Sequence, residues 1–363
     1  MRLFRRQRQR TIAFVLSGGA NYGALQAGAL QVLLEAGIHP NLLVGTSAGA
    51  LNAAYLATDP TPDGARRLGD AWRGVRPDDV GSQGIFTVIR RVLTHADSMY
   101  LTDSLAHYLR EQIPPAVETF GDLAALAGVP AYAVAVRLDT GRLRVFGDDP
   151  ADRVLDGMMA STAVPILFPP WTVDGVRYVD GGVLTKLPIR VAVERGATDI
   201  VALDVKDSIG SNGDVHGMMD VAGQATSLMT AQQVEAELAW ARSAGVRVHH
   251  LPLTHSEVLA WDFTHADELI AIGQAMAEMF LEGTEIPFRR GEPRLSGGGI
   301  ADDLRTGGQS PVTGIGEITK RAQEVRWPLQ HRRVRSTRDR GKLRAGDASG
   351  PLTQRDNMHV TVS

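Results

Sequence analysis

The stretch that decides the fold reads Leu42-Leu43-Val44-Gly45-Thr46-Ser47-Ala48-Gly49. Its first three residues are typical of a buried strand, and the residues from Ala48 to about Ala57 are typical of a helix. The motif G-x-S-x-G between a strand and a helix predicts a nucleophile elbow, in which a sharp turn lifts the Ser hydroxyl to a helix N-terminus. Alone the motif is a weak signal, because chance and tight turns also supply it. Its context here predicts that Ser47 is a nucleophile.

A second strand–turn–helix unit precedes this one. Ile12 to Leu16 is an apolar run typical of a buried parallel strand, Ser17-Gly18-Gly19-Ala20 forms a turn, and a helix follows from about Tyr22 to Ala36. Two such units in succession predict βαβ connections and an α/β fold with a parallel sheet. The remaining pattern predicts helices at about 104–112 (with Asp103 as N-cap), 154–161, 218–244 and 266–281, a hairpin at 131–146, and strands at 176–179, 200–204 and 246–251.

The distribution of charge divides the chain into three parts. The net charge is -3 over 363 residues, yet residues 1–10 carry five Arg and no acid, and residues 289–363 carry fifteen Lys or Arg against eight acids. We therefore expect a basic N-terminal extension (1–10), an acidic globular domain (11–288) and a basic C-terminal tail (289–363). Few large apolar residues and much charge in the tail are typical of disorder.

Composition also restricts the chemistry and the compartment. The absence of cysteine excludes a disulfide framework, a thiol nucleophile and a Cys-ligated metal. No apolar run approaches the roughly 18 residues of a membrane-spanning helix. The basic start followed by Ile12 to Leu16 is similar to a signal peptide, but this apolar run is shorter than the roughly 7–15 residues of a signal core. We expect a cytoplasmic protein without a nucleic-acid module, whose basic tail either contacts anionic membrane lipid or is simply solvated.

Two further motifs supply the groups that a Ser nucleophile needs. A Ser hydroxyl becomes a good nucleophile only when a base takes its proton. Asp180-Gly181-Gly182 follows the predicted strand 176–179, and this would bring a carboxylate to a strand end, where α/β sheets form their clefts. Gly18 and Gly19 directly precede a helix, where exposed N–H groups can bind a tetrahedral oxyanion.

With these motifs the chain resembles the patatin-like phospholipase family over about residues 11–285. The matching pieces are, in order, Ser17-Gly18-Gly19-Ala20-Asn21-Tyr22-Gly23, Gly45-Thr46-Ser47-Ala48-Gly49, Met159-Ala160-Ser161-Thr162-Ala163-Val164-Pro165, and Tyr178-Val179-Asp180-Gly181-Gly182 followed by Leu187-Pro188. The resemblance implies a three-layer α/β/α fold with a mostly parallel central sheet. It also implies a serine acylhydrolase that cleaves fatty-acyl esters of lipids, with no metal or other cofactor.

The resemblance further implies roles for individual residues. Ser47 would be the nucleophile and Asp180 the general base of a Ser–Asp dyad, without a catalytic His and through an acyl-enzyme. The N–H groups of Gly18 and Gly19 would form the oxyanion hole, with that of Ala48 as a further candidate. Family members usually have a third adjacent Gly and then an Arg or Lys before the last Gly, where this chain has Ala20 and Tyr22. The missing cation puts the level of activity in question.

Other interpretations stay open beside this one. His249 and His250 follow Asp180 in the chain, so a Ser-Asp-His triad esterase is formally allowed. The changed glycine loop favours a catalytically weak lipid-binding or scaffolding protein with the same fold. A dinucleotide-binding loop at Ser17-Gly18-Gly19 is disfavoured, because no acid ends the second strand.

Two apolar groups admit both a functional and a structural interpretation. Phe168-Pro169-Pro170-Trp171 either lines an acyl channel or forms core and turn. Met218, Met219 and Met229 either form an adaptable lipid-facing surface or pack in the core. The partner that all these motifs predict is a lipid ester substrate.

Overall fold

The computed structural model describes residues 10–76, 79, 102–206, 217–255, 258 and 261–283. The strands are β1 (Ile12–Leu16), β2 (Leu42–Thr46), β3 (Ala131–Arg137), β4 (Leu143–Phe146), β5 (Trp171–Val173), β6 (Val176–Asp180), β7 (Asp199–Val205) and β8 (Arg247–Leu253). The helices are α1 (Gly23–Glu35), α2 (Ala48–Thr58), α3 (Pro62–Gly74), α4 (Asp103–Gln112), α5 (Phe120–Ala127), α6 (Val154–Ser161), α7 (Ile189–Glu194), α8 (Met218–Ser243) and α9 (Ala266–Gly283). The predicted basic tail (289–363), and all but Arg10 of the N-terminal extension, lie outside the described residues.

The described strands form one eight-stranded sheet in the order β5-β6-β3-β2-β1-β7-β8, with β4 also paired to β3. Neighbours from β3 across to β8 run parallel. The strands β4, β5 and β6 are antiparallel to their partners. The sheet is therefore mostly parallel, as predicted, and it has an antiparallel edge that the sequence pattern did not reveal beyond the hairpin at 131–146.

Helices cover both faces of the sheet and give three layers. Along β1, Phe14 and Leu16 point into one core cluster, while Ala13 and Val15 point into the other. All four side chains are fully buried, which is why β1 is apolar at every position rather than at alternate ones. Helices α1, α2, α3 and α9 contribute to the first cluster, and α7 and α8 contribute to the second. This arrangement confirms the three-layer α/β/α fold.

One predicted helix start is displaced by a residue. Helix α4 has Thr102 as its N-cap, without a side-chain cap hydrogen bond, and Asp103 is the first helical residue. The prediction that Asp103 is the N-cap was therefore wrong. At its observed place the Asp103 carboxylate favours the helix through the positive end of the helix dipole instead of through a cap hydrogen bond.

Helices α1 and α9 pack with their backbones in close contact. A Cβ on Gly28 of α1 would collide with the carbonyl of Ile270 on α9, and a Cβ on Gly273 of α9 would collide with the carbonyl of Leu25 on α1. The contact is thus reciprocal, with one Gly from each helix. It holds α1 in place, and α1 follows directly on the glycine turn after β1.

We expect Gly273→Ala to destabilise the protein by about 1–3 kcal/mol, because the added methyl group forces the two helices apart. The matched control is Gly223→Ala in α8, where a Cβ would have nothing within 4 Å. This control should stabilise the protein by roughly 0.5–1 kcal/mol, because Ala is the better helix former. Chemical denaturation of both variants measures the difference. Equal effects of the two substitutions would contradict the close contact between α1 and α9.

Candidate active site

Ser47 lies in a strained turn between β2 and α2. Its backbone has φ 55° and ψ -127°, a conformation that costs a non-glycine residue about 1–3 kcal/mol. The turn is so tight that a Cβ on Gly45 would collide with the carbonyl of Gly49, and a Cβ on Gly49 would collide with that of Leu16. The two glycines of the motif are therefore required by contact between backbones. This geometry confirms the predicted elbow.

A hydroxyl group to which the sequence motifs gave no role holds the turn in place. The backbone N–H of Ser47 donates to Ser161 Oγ at 2.9 Å, and Ser161 Oγ donates to the carbonyl of Val134 at 2.6 Å. Ser161 is fully buried at the end of α6. The side chain thus connects the elbow to the middle of β3. The piece Met159 to Pro165 of the family motifs carried this residue, but its sequence did not indicate what the hydroxyl contacts.

Asp180 lies at the end of its strand, as predicted, and this strand runs antiparallel to β3. Strand β3 continues beyond the end of β2, since Thr46 pairs with Val134 and Ala135 pairs with Asp180 of the antiparallel strand β6. Asp180 therefore lies level with the residue after Thr46, which is Ser47. A Cβ on the next residue, Gly181, would collide with the carbonyl of Val134. The carboxylate thus comes from the last residue of β6, an antiparallel neighbour of β3, and the motifs did not indicate this strand direction.

The Asp180 carboxyl group is buried, with 5% of its surface exposed. Burial raises its pKa to about 6, while the Ser47 hydroxyl and the N–H of Gly182 act in the opposite direction. The Gly182 N–H donates to Oδ1 at 2.7 Å, whereas Oδ2 has no hydrogen-bond partner among the described residues. We interpret the Ser47 hydroxyl as facing the carboxylate without a fully formed hydrogen bond, which is common at catalytic pairs before substrate binds. Oδ2 is then the oxygen with free capacity to take a proton.

The glycine turn after β1 lies directly against the elbow. A Cβ on Gly18 would come within 3.2 Å of Ser47 Cβ, and a Cβ on Gly19 within 2.8 Å of a Val205 methyl. The N–H of Gly18, however, donates to the carbonyl of Lys186 at 3.1 Å. In this arrangement Gly18 cannot donate to an oxyanion as the motif had suggested. No backbone acceptor within the described part of the chain engages the N–H groups of Gly19 and Ala48.

Ala20 and Tyr22, the two positions where this turn differs from the usual family pattern, have clear structural consequences. Ala20 has φ 47°, in the left-handed region where Gly is favoured, so its methyl group adds backbone strain beside the elbow. Tyr22 places no charge near Ser47. Its hydroxyl donates to the carbonyl of Val258 at 2.9 Å. The side chain at the position of the missing cation therefore has a different structural role.

An apolar cleft begins at Ser47. It runs between α2, α3 and α4. Leu51, Tyr55, Trp72, Leu109, Met158 and Phe168 are among its lining residues. The polar lining residue Asn52 is hydrogen-bonded inside the protein: it accepts from Trp72 Nε1 at 2.8 Å and donates to the Gly23 carbonyl at 2.9 Å. The cleft thus offers apolar walls next to a buried Ser hydroxyl.

The apolar groups singled out in the sequence have different places. Phe168 lines the cleft, so the channel interpretation applies to it, whereas Trp171 donates through Nε1 to Asp156 at 2.9 Å. Met229 is 62% exposed on α8, which excludes a core role for this residue. The side chains of Met218 and Met219 lie outside the described part of the structure. Across the described residues, no helix is both long and apolar enough to cross a bilayer.

The two histidines considered for a triad lie elsewhere in the sheet. His249 and His250 are on β8, which is separated from β2 by β1 and β7, or about 14 Å at the usual strand spacing. His250 Nε2 lies 2.9 Å from Asp204 Oδ2, and Lys206 Nζ lies 2.6 Å from the same oxygen. Burial raises the pKa of Asp204, but these two partners outweigh it and lower the pKa below its usual value. Neither His249 nor His250 supports a triad with Ser47.

Comparison with known proteins identifies the family. Residues 14–193 match the sequence profile of the family described as patatin-like phospholipase. The matched segment contains the glycine turn, the elbow, Ser161 and Asp180. Through this segment the chain belongs to the patatin-like phospholipase family.

The individual relatives are distant, and each match covers only part of the relative's own length. Patatin-like phospholipase domain-containing protein 7 of Mus musculus is 27% identical over 212 residues, which are 56% of this chain and 14% of that protein. The uncharacterized protein YjjU of Escherichia coli K12 is 28% identical over 195 residues, which are 53% and 51% of the two chains. Among solved structures, VipD from Legionella pneumophila aligns with a TM-score of 0.43 at 15% identity, over 76% of this chain and 67% of that one.

Removal of the Ser161 hydroxyl should weaken catalysis beyond its effect on stability. In Ser161→Ala the N–H of Ser47 and the carbonyl of Val134 lose a buried partner, which costs about 1–3 kcal/mol of stability. Because the elbow then shifts, kcat for a p-nitrophenyl ester should fall about 10–100-fold with little change in KM. The control Thr198→Ala removes a hydroxyl that accepts from the Thr11 N–H at 3.0 Å near the opposite end of the sheet. It should lose stability but keep kcat; a similar loss of kcat in both variants would refute the positioning role.

The pH dependence should follow the raised pKa of Asp180. Only the ionised carboxylate accepts a proton, so kcat/KM should fall about tenfold per pH unit below pH 6. The free energy of unfolding should change in the opposite direction and should be higher at low pH. Because the folded pKa is above the unfolded value, the contribution of this group is present at low pH and is lost as the pH rises through about 6. Asp180→Asn should therefore stabilise the protein at pH 8, and denaturation at pH 4 and 8 measures this. A pH–rate profile that is flat from pH 7 down to 4.5 would contradict the assignment.

Proposed function

We propose that this chain is a serine acylhydrolase that cleaves fatty-acyl ester bonds of lipids through Ser47 and Asp180. The observation that carries the proposal is the buried Asp180 carboxylate, with free capacity at Oδ2, facing a strained Ser47 that lines an apolar cleft. Membership of a family described as phospholipase is consistent with it. The apolar walls suit an acyl chain, because each buried methylene group contributes about 0.8 kcal/mol to binding.

The first half of the reaction forms an acyl-enzyme. Ser47 Oγ attacks the ester carbonyl carbon while its proton passes to Asp180 Oδ2. The carbonyl oxygen becomes an oxyanion, which accepts hydrogen bonds from the N–H groups of Gly19 and Ala48. When the tetrahedral intermediate collapses, the C–O bond to the alcohol breaks and protonated Asp180 gives its proton to the leaving oxygen.

The second half releases the fatty acid. Water attacks the acyl carbon while Asp180 accepts one of its protons, and the same N–H groups hold the new oxyanion. Collapse breaks the bond to Ser47 Oγ, which takes the proton back from Asp180. Every proton step uses the one carboxylate, and its pKa of about 6 suits this chemistry. The value is low enough for ionisation at neutral pH and higher than that of an exposed Asp.

A lipid-binding or scaffolding protein with weak catalysis is the second candidate function. The specific observations in its favour are the strained Ala20, the engaged N–H of Gly18 and the absence of a cation at Tyr22. Under this hypothesis the apolar cleft still holds an acyl chain, but turnover is slow. Peripheral contact of the basic tail with anionic lipid is compatible with both functions.

Hydrolysis of a medium-chain p-nitrophenyl ester and of a phospholipid, by wild type, Ser47→Ala and Asp180→Asn, separates these functions. We expect activity in the wild type and a loss of at least about a thousandfold in both variants, with folding verified by circular dichroism. The double substitution of His249 and His250 by Gln is the control and should retain activity. Loss of activity in this control would restore the triad. A wild type that neither hydrolyses the esters nor reacts with a fluorophosphonate would favour the scaffolding function.

A further inference from the structure

Asn21, beside the position where the family has its cation, holds a distant segment of the chain. Its Nδ2 donates to the carbonyl of Asp262 at 2.8 Å, and its Oδ1 accepts from the N–H of Trp261 at 2.9 Å. The side-chain amide therefore hydrogen-bonds to the backbone of two consecutive residues, Trp261 and Asp262. With 1% of its surface exposed, Asn21 makes these bonds in a dry environment, where they are difficult to replace by water.

Tyr22 holds the same segment at a second point. Its hydroxyl donates to the carbonyl of Val258 at 2.9 Å, and its ring stacks on His255 with the centroids 3.5 Å apart. The two neighbouring side chains thus fix described residues on both sides of positions 259–260. The sequence motifs themselves indicated no partner for Asn21 or Tyr22.

The segment that Asn21 and Tyr22 hold includes Trp261 and leads into Phe263, and these two side chains form an aromatic wall of the cleft. Trp261 has φ 70°, an unfavourable conformation for a large side chain, and its ring lies 5.9 Å from that of Phe168. The Phe263 ring lies 6.5 Å from Trp261 and 6.4 Å from Trp72, to which it is nearly parallel. All four rings line the cleft that begins at Ser47. The strained backbone at Trp261 persists because Asn21 fixes the adjacent N–H and carbonyl groups.

One short turn therefore connects the reaction centre with the aromatic wall of the cleft. The turn Ala20–Tyr22 begins next to Gly19, whose N–H faces the reaction centre in the proposed mechanism, and ends at the residues that hold the aromatic wall. We propose that Asn21 and Tyr22 are positioning residues that give the enzyme a preference for long acyl chains. They do so by fixing Trp261 and Phe263 against the chain. The inference rests on the proposed function for its substrate class.

The kinetic test compares a short and a long ester. We would measure kcat/KM for p-nitrophenyl butyrate and p-nitrophenyl decanoate with wild type, Asn21→Ala, Tyr22→Phe and the control Asn41→Ala. Asn41 accepts from the N–H of Ile12 at 2.8 Å, far from the cleft, so it is a matched Asn side chain with a backbone partner. Tyr22→Phe keeps the stacked ring and removes a single hydrogen bond, which makes it the gentler variant if Asn21→Ala folds poorly.

The decanoate-to-butyrate ratio should fall about tenfold in Asn21→Ala and about threefold in Tyr22→Phe, as expected when contact with one or two methylene groups is lost. Activity on butyrate should change less than about twofold, and Asn41→Ala should keep the wild-type ratio. Equal losses on both esters would overturn the inference, because they would place the effect at the reaction centre or in the fold. An unchanged ratio in both variants would overturn it as well.

A binding measurement separates failure of the inference from failure of the proposed function. A terminally brominated undecanoic acid quenches Trp fluorescence on contact, and Trp72 and Trp261 both line the cleft. We expect Asn21→Ala to bind this probe about tenfold more weakly than wild type and Asn41→Ala, by the same loss of contact. If the wild type hydrolyses neither ester but the probe shows this difference, the proposed function fails and the wall-holding role stands. If all three proteins bind the probe equally, the inference fails.

Discussion

The left-handed backbone at Ser47 is the constraint on which the rest of the site depends. It turns the chain from β2 into α2 within one residue, and it is possible only because Gly45 and Gly49 let two backbones touch. The neighbouring segments must then approach closely as well. Around the elbow, a Cβ would be tightly packed on Gly18 and would collide with a neighbouring atom on Gly19 and Gly181. The glycines in the motifs therefore mark the positions where other atoms pack closely around one strained residue.

The close packing around Ser47 also determines how basic the Asp180 carboxylate is. Because the elbow, the glycine turn and β6 pack closely together, the Asp180 carboxyl group is desolvated and its pKa rises to about 6. A carboxylate is a weak base in water, and burial makes it a stronger one. The cost appears in the free energy of folding, since the protein must keep an ionised group in a dry site at neutral pH. Ionised Asp180 therefore lowers the stability of the fold, and the same burial makes it the stronger base that the proposed reaction needs.

Much of the fold could be predicted from the sequence because its signals are local. The apolar runs of β1 and β2, the glycines that end them and the G-x-S-x-G motif all act within a few residues, and these elements lie close to the predicted bounds. The place of Asp180 could not be derived in this way, because it depends on β3 extending past β2 and pairing with an antiparallel strand. Similarly, nothing near Gly18 indicates that its N–H meets Lys186, and nothing near Ser161 indicates that it meets Ser47. The last two contacts join residues more than a hundred positions apart.

In the proposed mechanism a carboxylate, without a histidine, activates Ser47. Reaction with a lipid-like fluorophosphonate followed by peptide mapping is the decisive experiment, because the reagent marks the activated nucleophile itself. We expect a phosphonate on the peptide that contains Ser47 in the wild type, and none on that peptide in folded Asp180→Asn over the same time. Modification of a different residue in the wild type, or equal modification of Ser47 in Asp180→Asn, would show that the carboxylate does not activate this serine.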